Sequence, residues 1–512
     1  MVFSSFNTVG NIAYKKIEYT KTLFYDGTAS VISSWQTIGD SYLYQSEIYN
    51  DNNVTNNSGA PYPFLYGCAI SDDGNYILFG ARRINSVTSA LVSRGMMVSD
   101  NAGNSWSYID LSNGYTVTQT SGSNSQLVVK DIVGSATGDV YYVWACGTGG
   151  GTGKIGPNSF FEYIYQWNSS NGSIRDINNW KRGTGAASSP FLPSTSGSFT
   201  PSFSFSYSCI TTDACGNNLY ILCNNNYNNN NPSGTGYPNG KLQLCYVTNA
   251  KTSLPSSYIT KYDLSLNAGS ITTNNPFWSK VSGNGKVLYF MTDARTVCAT
   301  LLDSSGKSIS NSILIAPVNS NVTFYLSMDN CCSISYDGTV FIFSGAPGVN
   351  GTSGSHYARI SYTSSTITLI TSTQGSLNIK SYRTATNSTI DYNSNMSYFQ
   401  SVSMPQLPPK YPFVVIGGYS TYYGAGAVYD VSNTIFLAKD YTNVSLNGTG
   451  AAGIITYMNS AKTINIPGKY TIGSMVSSTG NFIYLLTIDK IDSASTSTFT
   501  GPINGYCIKI SY

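Results

Sequence analysis

Apolar and polar positions repeat in a recognisable order along this chain. A short apolar run is followed by a polar turn that contains Gly or Asn, and then by a nearly continuous run of Tyr, Ile, Val, Leu and Phe. The clearest copy runs from Cys68 to Phe79 around its turn glycine. The turn residues of the seven copies are Gly74, Gly138, Gly216, Gly285, Gly338, Asn433 and Gly480.

The chemistry of these turns predicts β-hairpins. Asp-Gly, Asn-Gly and Thr-Gly between two apolar runs supply the positive φ that a tight hairpin needs, and Asn can also adopt that conformation. The run after each turn is almost entirely apolar, which is typical of a strand buried on both faces. Each copy therefore predicts two antiparallel strands, with the second strand in the core.

The spacing of the copies indicates a repeat architecture. The turns lie about 68 residues apart on average, whereas a four-stranded propeller blade needs about 40–50 residues. The difference is assigned to long connections, and the Asn-rich run at 224–231 and the Gly-rich run at 147–153 are predicted to be solvated linkers. We therefore predict an all-β chain that folds as a seven-bladed β-propeller.

One motif resembles a known family. Ser99, Asn101, Gly103 and Trp106 follow the spacing of the Asp-box, or BNR repeat, of sialidase-like and sortilin-like propellers, which reads Ser-x-Asp-x-Gly-x-Thr-Trp. Asn101 replaces the usual Asp, and Ser105 replaces the usual Thr. The resemblance implies a turn between the third and fourth strands of a blade, with its Trp packed between blades as a folding device. It covers one blade, and the others share only the hairpin.

A propeller must also cover its last edge strand. The chain ends in a strand pattern at 505–512, and residues 31–38 resemble the outer strand of a blade. We predict that these two segments pair and close the ring. Residues 1–30 then form an N-terminal arm, with a short helix at 12–23, and residues 31–512 form the propeller.

Composition excludes several functional classes. Only 10% of the residues are charged and the net charge is +3, which is too weak a field to favour nucleic acid or an anionic membrane. No apolar stretch of about 18 residues predicts membrane insertion, and the N-terminal sequence lacks the apolar core of a signal peptide. The 10 cysteines do not follow the spacing of a disulfide scaffold, so we predict reduced thiols in the core.

The sequence contains few candidate catalytic residues. His356 is the single histidine, so a histidine-rich zinc site is excluded by count, and Cys-x-x-Cys pairs are absent. We predict no metal and no cofactor. Resemblance to sialidases would imply an arginine clamp for a substrate carboxylate and a Tyr–Glu pair, and the candidates are Arg82, Arg295 and Arg359 with Glu162.

Composition also suggests a source. Glu is nearly absent while Asn, Tyr, Ile and Lys are abundant, which is the bias of an AT-rich genome such as that of a large DNA virus. The leading hypothesis is a non-enzymatic structural or attachment protein on the surface of a virus particle, made in the host cytoplasm. Its arm would anchor to other capsid proteins, and its ring would bind a host glycan or receptor. The alternatives are an intracellular propeller scaffold or assembly factor, and a sialidase-like glycoside hydrolase.

Overall fold

The computed structural model is all-β over the residues that it describes. These residues are 17–25, 29–30, 33–37, 42–46, 48–50, 63–65, 67–88, 90–111, 126–148, 162–172, 174–176, 208–225, 241–252, 259–264, 276–292, 296–310, 312–317, 332–345, 354–375, 398–404, 414–419, 422–424, 427–429, 433–438, 462–466, 469–478, 482–489 and 503–510. Within these ranges no helix occurs. The predicted turn residue Gly480 lies outside them.

The described strands are short and follow one another closely. The first group is β1 (Ile17–Tyr25), β2 (Ala29–Ser30), β3 (Ser33–Thr37), β4 (Tyr42–Ser46), β5 (Ile48–Asn50), β6 (Pro63–Leu65), β7 (Cys68–Ile70), β8 (Ile77–Asn85), β9 (Leu91–Ser99), β10 (Ser107–Asp110), β11 (Gln126–Gly134), β12 (Val140–Thr148), β13 (Glu162–Asn168) and β14 (Ile174–Asp176). The second group is β15 (Ser208–Thr212), β16 (Leu219–Asn225), β17 (Lys241–Val247), β18 (Ile259–Asp263), β19 (Pro276–Val281), β20 (Val287–Thr292), β21 (Thr296–Leu301) and β22 (Ile313–Pro317). The third group is β23 (Cys332–Ile334), β24 (Val340–Gly345), β25 (Gly354–Tyr362), β26 (Ile367–Gly375), β27 (Tyr398–Ser403), β28 (Val414–Tyr419), β29 (Tyr422–Gly424), β30 (Ala427–Tyr429), β31 (Asn433–Ala438), β32 (Lys462–Ile466), β33 (Lys469–Val476), β34 (Phe482–Asp489) and β35 (Ile503–Ile510).

These strands form seven larger antiparallel sheets, which we number in chain order. Sheets 2 to 5 each contain four consecutive strands, namely β11–β14, β15–β18, β19–β22 and β23–β26. Sheet 6 contains β27, β28, β31 and β32, and sheet 7 has the order β1-β35-β34-β33. Strands β5 and β6, and strands β29 and β30, form two small ribbons. In each of sheets 2 to 6 the chain therefore meanders from a first strand outward, and in sheet 7 it does so from β33 to β35, with β1 as the outer strand.

Sheet 1 differs because its first strand is divided. Strand β7 pairs with the first residues of β8, with Ile70 opposite Ile77, and β4 pairs with the last residues of β8, with Tyr42 opposite Asn85. Strands β3 and β2 then extend the sheet beyond β4. Sheet 1 consequently contains seven strands, and the two extra ones lie on the side that the first strand occupies elsewhere.

Neighbouring sheets pack face to face. In β12, Tyr141 and Val143 belong to a buried cluster with Leu78 of sheet 1, whereas Tyr142 and Trp144 belong to a cluster with residues of sheet 3. The four consecutive side chains from Tyr141 to Trp144 are each at most 2% exposed. The prediction that the strand after the turn is buried on both faces is confirmed here, because this strand is covered by a different sheet on each side.

The first strands of the sheets contact one another in sequence. The contacts run from β7 to β11, β11 to β15, β15 to β19, β19 to β23, β23 to β27, β27 to β33, and β33 to β7. Each first strand therefore lies beside the next one in this series, and the core of the protein is distributed between the sheets rather than concentrated in one layer.

The partner of the C-terminal strand differs from the prediction. Strand β35 pairs with β1, with Ile17 opposite Ile510, and not with residues 31–38, where Trp35 pairs with Gln45. Residues 17–23 of the expected helix at 12–23 are strand, while residues 12–16 lie outside the described ranges. The run from Ile17 to Tyr25 is rich in Ile, Tyr, Thr and Phe, which favour strands over helices. The domain boundary at residue 30 stays a prediction.

The sixth sheet also departs from the repeat prediction. Asn433 is the first residue of β31, the third strand of sheet 6, and does not connect a first strand to a second one. That connection joins β27 to β28 across residues 404–413, a segment with four prolines and no glycine. The sixth hairpin was therefore predicted too late in the chain, because its connection contains neither Gly nor Asn.

Over the described residues, no helix is long and apolar enough to cross a membrane. Six described cysteines are free, and three of them, Cys209, Cys298 and Cys332, are buried as predicted. Cys215 differs from the prediction because it is exposed. It lies in the turn of sheet 3, one residue before Gly216, rather than in a strand.

Candidate functional site: a cavity between the first strands

A cavity lies between the first strands. Its volume is about 190 Å³, and its lining includes residues from β7, β11, β15, β19, β23 and β33, together with Met404 directly after β27. Every one of the seven sheets therefore contributes to one cavity. We refer to this space as the central cavity.

Hydroxyl groups in the central cavity join neighbouring sheets. Thr211 Oγ1 of sheet 3 accepts a hydrogen bond of 3.2 Å from the Val281 amide of sheet 4, and Ser333 Oγ of sheet 5 accepts one of 3.0 Å from the amide of Met404. A first strand has no pairing partner on its inner side, so its amides there need other acceptors. Thr211 and Ser333 satisfy two of them.

The hairpin turns are bonded to one another at one edge of the sheets. The Ala136 amide donates to the Ala214 carbonyl at 2.8 Å, the Ala214 amide to the Gly283 carbonyl at 3.1 Å, and the Asn284 amide to the Tyr336 carbonyl at 3.1 Å. The turn of sheet 7 joins the same set, because the Ser478 amide donates to Asp72 and its hydroxyl to the Ala136 carbonyl at 3.4 Å. The residues of these bonds are Ala136, Ala214, Gly283, Asn284, Tyr336, Ser478 and Asp72. The turns of sheets 1 to 5 and 7 thus form a connected rim beside the cavity.

Each described turn glycine has the same backbone conformation. Its φ lies between 68° and 77°, a region that non-glycine residues rarely adopt. The five glycines are Gly74, Gly138, Gly216, Gly285 and Gly338. A buried side chain three residues earlier completes each turn, and in sheet 5 this is Ser335, whose Oγ accepts from the Val340 amide at 3.0 Å and donates to Asp337 at 2.6 Å.

Tyrosines from one sheet bind the turn of the next. Tyr142 of sheet 2 donates its hydroxyl to the Gly216 carbonyl of sheet 3 at 2.6 Å, and Tyr289 of sheet 4 donates to the Gly338 carbonyl of sheet 5 at 3.0 Å. The ring of Tyr484 in sheet 7 lies directly against the turn glycine of sheet 1. Sequence reasoning missed this role, although a Tyr four residues after the turn glycine in several copies is a signal that could have shown it.

Sheet 3 carries the one acidic group in the described lining of the cavity. Asp213 is 5% exposed, and its carboxylate accepts from Asn218 Nδ2 at 2.5 Å and from Cys215 Sγ at 3.1 Å. Burial, and then this hydrogen bond, raise the pKa of the Cys215 thiol, so the thiol stays protonated as the donor. Lys280 of β19 also lines the cavity and is half-buried. Neither Asp213 nor Lys280 was singled out from the sequence.

The Asp-box-like segment forms the turn between β9 and β10, the third and fourth strands of the meander in sheet 1. Ser99 is 1% exposed, and its Oγ accepts from the Gly103 amide at 2.8 Å. Asn101 Oδ1 accepts from the Ser105 amide at 2.9 Å, and its Nδ2 donates to Ser105 Oγ at 2.7 Å. Asn101 therefore accepts through its carbonyl oxygen and also donates through its amide, which an ionised Asp cannot do.

Trp106 ends this turn and packs on the core. Its ring centroid lies 5.1 Å from that of Phe79 in β8, within a cluster that includes residues of sheet 7. The Ala102 amide donates to the Asn75 carbonyl at 2.9 Å, which ties the turn to the hairpin of the same sheet. The described contacts of the segment are made within its own turn and with residues of the same sheet and the core. Assignment to the Asp-box family stays a prediction.

The residues considered for a sialidase site lie in different sheets. Arg82 is in β8 of sheet 1, Glu162 in β13 of sheet 2, and Arg359 and His356 in β25 of sheet 5. Arg295 lies outside the described residues. None of the four described residues appears in the described lining of the central cavity. In the described part of the chain, no group of three or more His, Cys, Asp or Glu side chains is placed to hold a metal ion.

Comparisons with known proteins give no assignment by sequence. No protein-family model matches the chain, and no curated protein matches it. Among solved structures, the chain is similar to one titled "Crystal structure of RRP9 WD40 repeats", with 8% identity and a TM-score of 0.40, over 88% of this chain and 94% of that chain. A likeness at this level says nothing of what this chain binds.

Proposed function

We propose that this chain is a non-enzymatic binding platform built as a seven-bladed β-propeller. Seven antiparallel sheets would be its blades, and the sequential contacts of their first strands support a closed ring. The pairing of β1 with β35 supports closure by strands from both ends of the chain. The packing of Tyr484 against Gly74 supports the contact between the seventh and the first blade.

The observation that carries the binding role is a difference between the two sides of the sheets at which the strands begin and end. We call these two sides the edges. In an antiparallel meander, the connections after the first and third strands leave one edge, and the remaining connections leave the other. At the first edge, the short hairpin turns of sheets 1 to 5 and 7 are joined by hydrogen bonds into a rim. At the second edge, which we call the variable edge, strands are joined by long segments rich in Asn, Ser, Gly and Tyr, such as 149–161 between β12 and β13 and 226–240 between β16 and β17. Such side chains offer adaptable hydrogen bonds and flat rings to a protein or a glycan.

The setting that we propose is the surface of a virus particle. It is supported by the AT-rich bias of the sequence, by a charged fraction of only 10% and by a platform that presents one variable edge. The residues before β1 would bind other capsid proteins, and the variable edge would bind a host glycan or receptor. We also propose a relationship to Asp-box propellers, supported by the hydrogen bonds of Ser99 and Asn101 in the β9–β10 turn.

Mass spectrometry of washed particles, together with two truncations, tests this proposal. Removing residues 1–16 leaves β1 intact, whereas removing residues 1–30 also removes the strand that pairs with β35. We expect the full chain in particles at many copies, and we expect the shorter truncation to fold normally yet fail to enter particles. Incorporation of that variant at the normal level would contradict anchoring by this segment. Absence of the full chain from particles would contradict the viral setting.

A glycan array on the purified chain tests the platform itself. Binding that is lost when 226–240 is replaced by a short Gly-Ser linker, with circular dichroism unchanged, would support recognition at the variable edge. The matched control replaces 149–161 in the same way. Cleavage of a fluorogenic sialoside by the purified chain would contradict the non-enzymatic assignment.

A further inference from the structure

The central cavity combines a cation with two buried hydroxyl groups. Lys280 of β19 lies five residues before the turn glycine of its sheet, and Thr211 and Ser333 occupy the same position in the two neighbouring sheets. All three residues line the cavity. The repeat therefore places the three side chains at one level of the first strands.

The two hydroxyls are oriented by the fold and keep a donor. Thr211 is 3% exposed and Ser333 is 6% exposed, and each oxygen accepts a hydrogen bond from a backbone amide of the next sheet. A hydroxyl group has one proton and two acceptor lone pairs, so each O–H can still donate. A lysine in the sheet between two such hydroxyl donors, at the same position of the repeat, matches the acceptor oxygens of an anion.

The acidic residue of the cavity is committed to its own turn. Both carboxylate oxygens of Asp213 accept hydrogen bonds there, from Asn218 Nδ2 at 2.5 Å and from Cys215 Sγ at 3.1 Å. Asp213 lies two residues beyond Thr211, in the turn itself. These two hydrogen bonds of its carboxylate are therefore made within the turn.

The rest of the lining is largely apolar, and the cavity is small. Ile132, Val133, Ile334 and Val476 contribute to it. The volume of about 190 Å³ is somewhat larger than an apolar cavity of roughly 150 Å³ that accommodates benzene. A ligand of this size with one charged end and one apolar end would match both parts of the lining.

We propose that the central cavity binds a small organic monocarboxylate. The carboxylate interacts with Lys280, Thr211 and Ser333, and the apolar part of the ligand packs against the aliphatic side chains. This site is separate from the variable edge and does not depend on what binds there.

Isothermal titration of the full chain with benzoate tests the proposal, with benzamide as the uncharged probe of the same shape. We expect benzoate to bind and benzamide to bind at least about tenfold more weakly, because hydrogen bonds to a charged group are the stronger ones. Lys280→Met should weaken benzoate binding at least about tenfold. The matched control is Lys286→Met, which removes a lysine from the exposed turn of the same sheet.

Two further variants separate binding from folding. Lys280→Arg keeps the charge and should keep benzoate affinity within a few fold, even where Lys280→Met unfolds. Ser333→Ala should reduce affinity more for benzoate than for benzamide. Equal affinity for the two probes, undiminished benzoate binding by folded Lys280→Met, or no binding by the natural chain at about 10 mM benzoate would each overturn the proposal.

Discussion

The turns of sheet 5 and sheet 3 have the same backbone but reversed side-chain chemistry. In sheet 5, Ser335 lies three residues before the glycine and donates to Asp337, which lies one residue before it, at 2.6 Å. In sheet 3 the acid is Asp213 at the first of these positions, and the donor is Cys215 at the second, at 3.1 Å. In both turns the glycine amide donates to a backbone carbonyl, that of Ser335 at 2.9 Å and that of Asp213 at 3.0 Å.

This reversal shows what the turn requires. A donor and an acceptor must face each other across two residues, and the order in which they occur is not fixed. The side chain three residues before the glycine is buried in both cases, at 0% for Ser335 and 5% for Asp213, so its hydrogen bonds cannot be replaced by water. The backbone and the glycine are constant, while the polar pair is interchangeable as a unit.

The largest expected effect concerns the shared backbone. Gly338→Ala and Gly216→Ala should each lower the free energy of unfolding by about 2–5 kcal/mol, since both glycines have positive φ and an added Cβ would clash with the preceding sheet. At Gly338 the nearest atom would be 2.7 Å away in Val287, and at Gly216 it would be 2.6 Å away in Ser135. Urea unfolding followed by tryptophan fluorescence measures both.

Gly172→Ala is the matched control for these substitutions. Gly172 also has positive φ, at 63°, but nothing lies within 4 Å of an added Cβ. We expect a loss of about 1–2 kcal/mol from backbone strain alone. If the three variants lose the same free energy of unfolding, packing of each turn against the preceding sheet does not contribute to stability. The turns of sheets 3 and 5 would then share only their local backbone conformation.

The second expected effect concerns the order of donor and acceptor. Cys215→Asp places a second carboxylate beside buried Asp213 and should cost about 2 kcal/mol or more, because like charges at this distance repel. Adding Asp213→Ser to this variant recreates the order of sheet 5. The double variant should return to within about 1 kcal/mol of the natural chain. A double variant less stable than Cys215→Asp would show that the pair cannot be exchanged.

The hairpins of sheets 1 to 5 could be predicted from the sequence because they depend on local chemistry. The turn glycine and the apolar run after it are visible at Gly74, Gly138 and Gly338, and the structure has hairpins at these places. The sixth hairpin was misplaced because its connection lacks glycine. Long-range pairing was harder, since the partner of β35 depends on which distant segment is adjacent, and 17–25 and 31–38 have similar strand patterns.

The candidate site was harder to predict from the sequence than the fold. Lys280, Thr211 and Ser333 share a position in the repeat, but a Lys, a Thr and a Ser at one position have no recognisable pattern until the first strands are known to meet. Their role depends on the arrangement of the sheets around one cavity. The reversed pair of Asp213 and Cys215 was missed for a related reason. The repeat is recognisable by its glycine and its apolar residues, while the polar pair differs between copies.

A smaller effect separates a buried tyrosine hydroxyl from one that water can reach. Tyr289 of sheet 4 and Tyr362 of sheet 5 both donate to the turn of sheet 5, to the carbonyls of Gly338 at 3.0 Å and Asp337 at 2.7 Å. Tyr289 is 0% exposed, so Tyr289→Phe leaves a buried carbonyl without its donor and should cost about 1–2 kcal/mol. Tyr362→Phe, where water can replace the hydroxyl, should cost about 0.5 kcal/mol or less. Equal losses of unfolding free energy in urea would contradict the importance of burial for the Tyr289 hydrogen bond.

The smallest expected effect depends on pH and concerns the residue after the turn glycine. In sheet 5 this is Thr339, which bonds within its turn, whereas in sheet 2 it is Asp139, which pairs with Lys251 of sheet 3 at 2.7 Å. Burial alone would raise the pKa of Asp139, but hydrogen bonds from Lys251, Ser135 and Thr137 outweigh it and hold this pKa below its usual value of 3.8. The carboxylate thus stabilises the fold above the unfolded pKa, and this stabilisation is lost as the pH falls through the lower folded pKa.

The side chain of Asp139 is 51% exposed, so solvent screens the ion pair and its contribution should be under about 1 kcal/mol. Asp139→Asn should lower stability by that amount at about pH 7 and by less at about pH 2.5, which lies below the unfolded pKa of about 3.9. A double-mutant cycle with Lys251→Met isolates the pair, and Asp303→Asn is the control, since Asp303 bonds only within its own turn, to Ser305 and Lys307. A coupling energy between Asp139 and Lys251 that is unchanged between the two pH values would show that this ion pair does not join sheets 2 and 3.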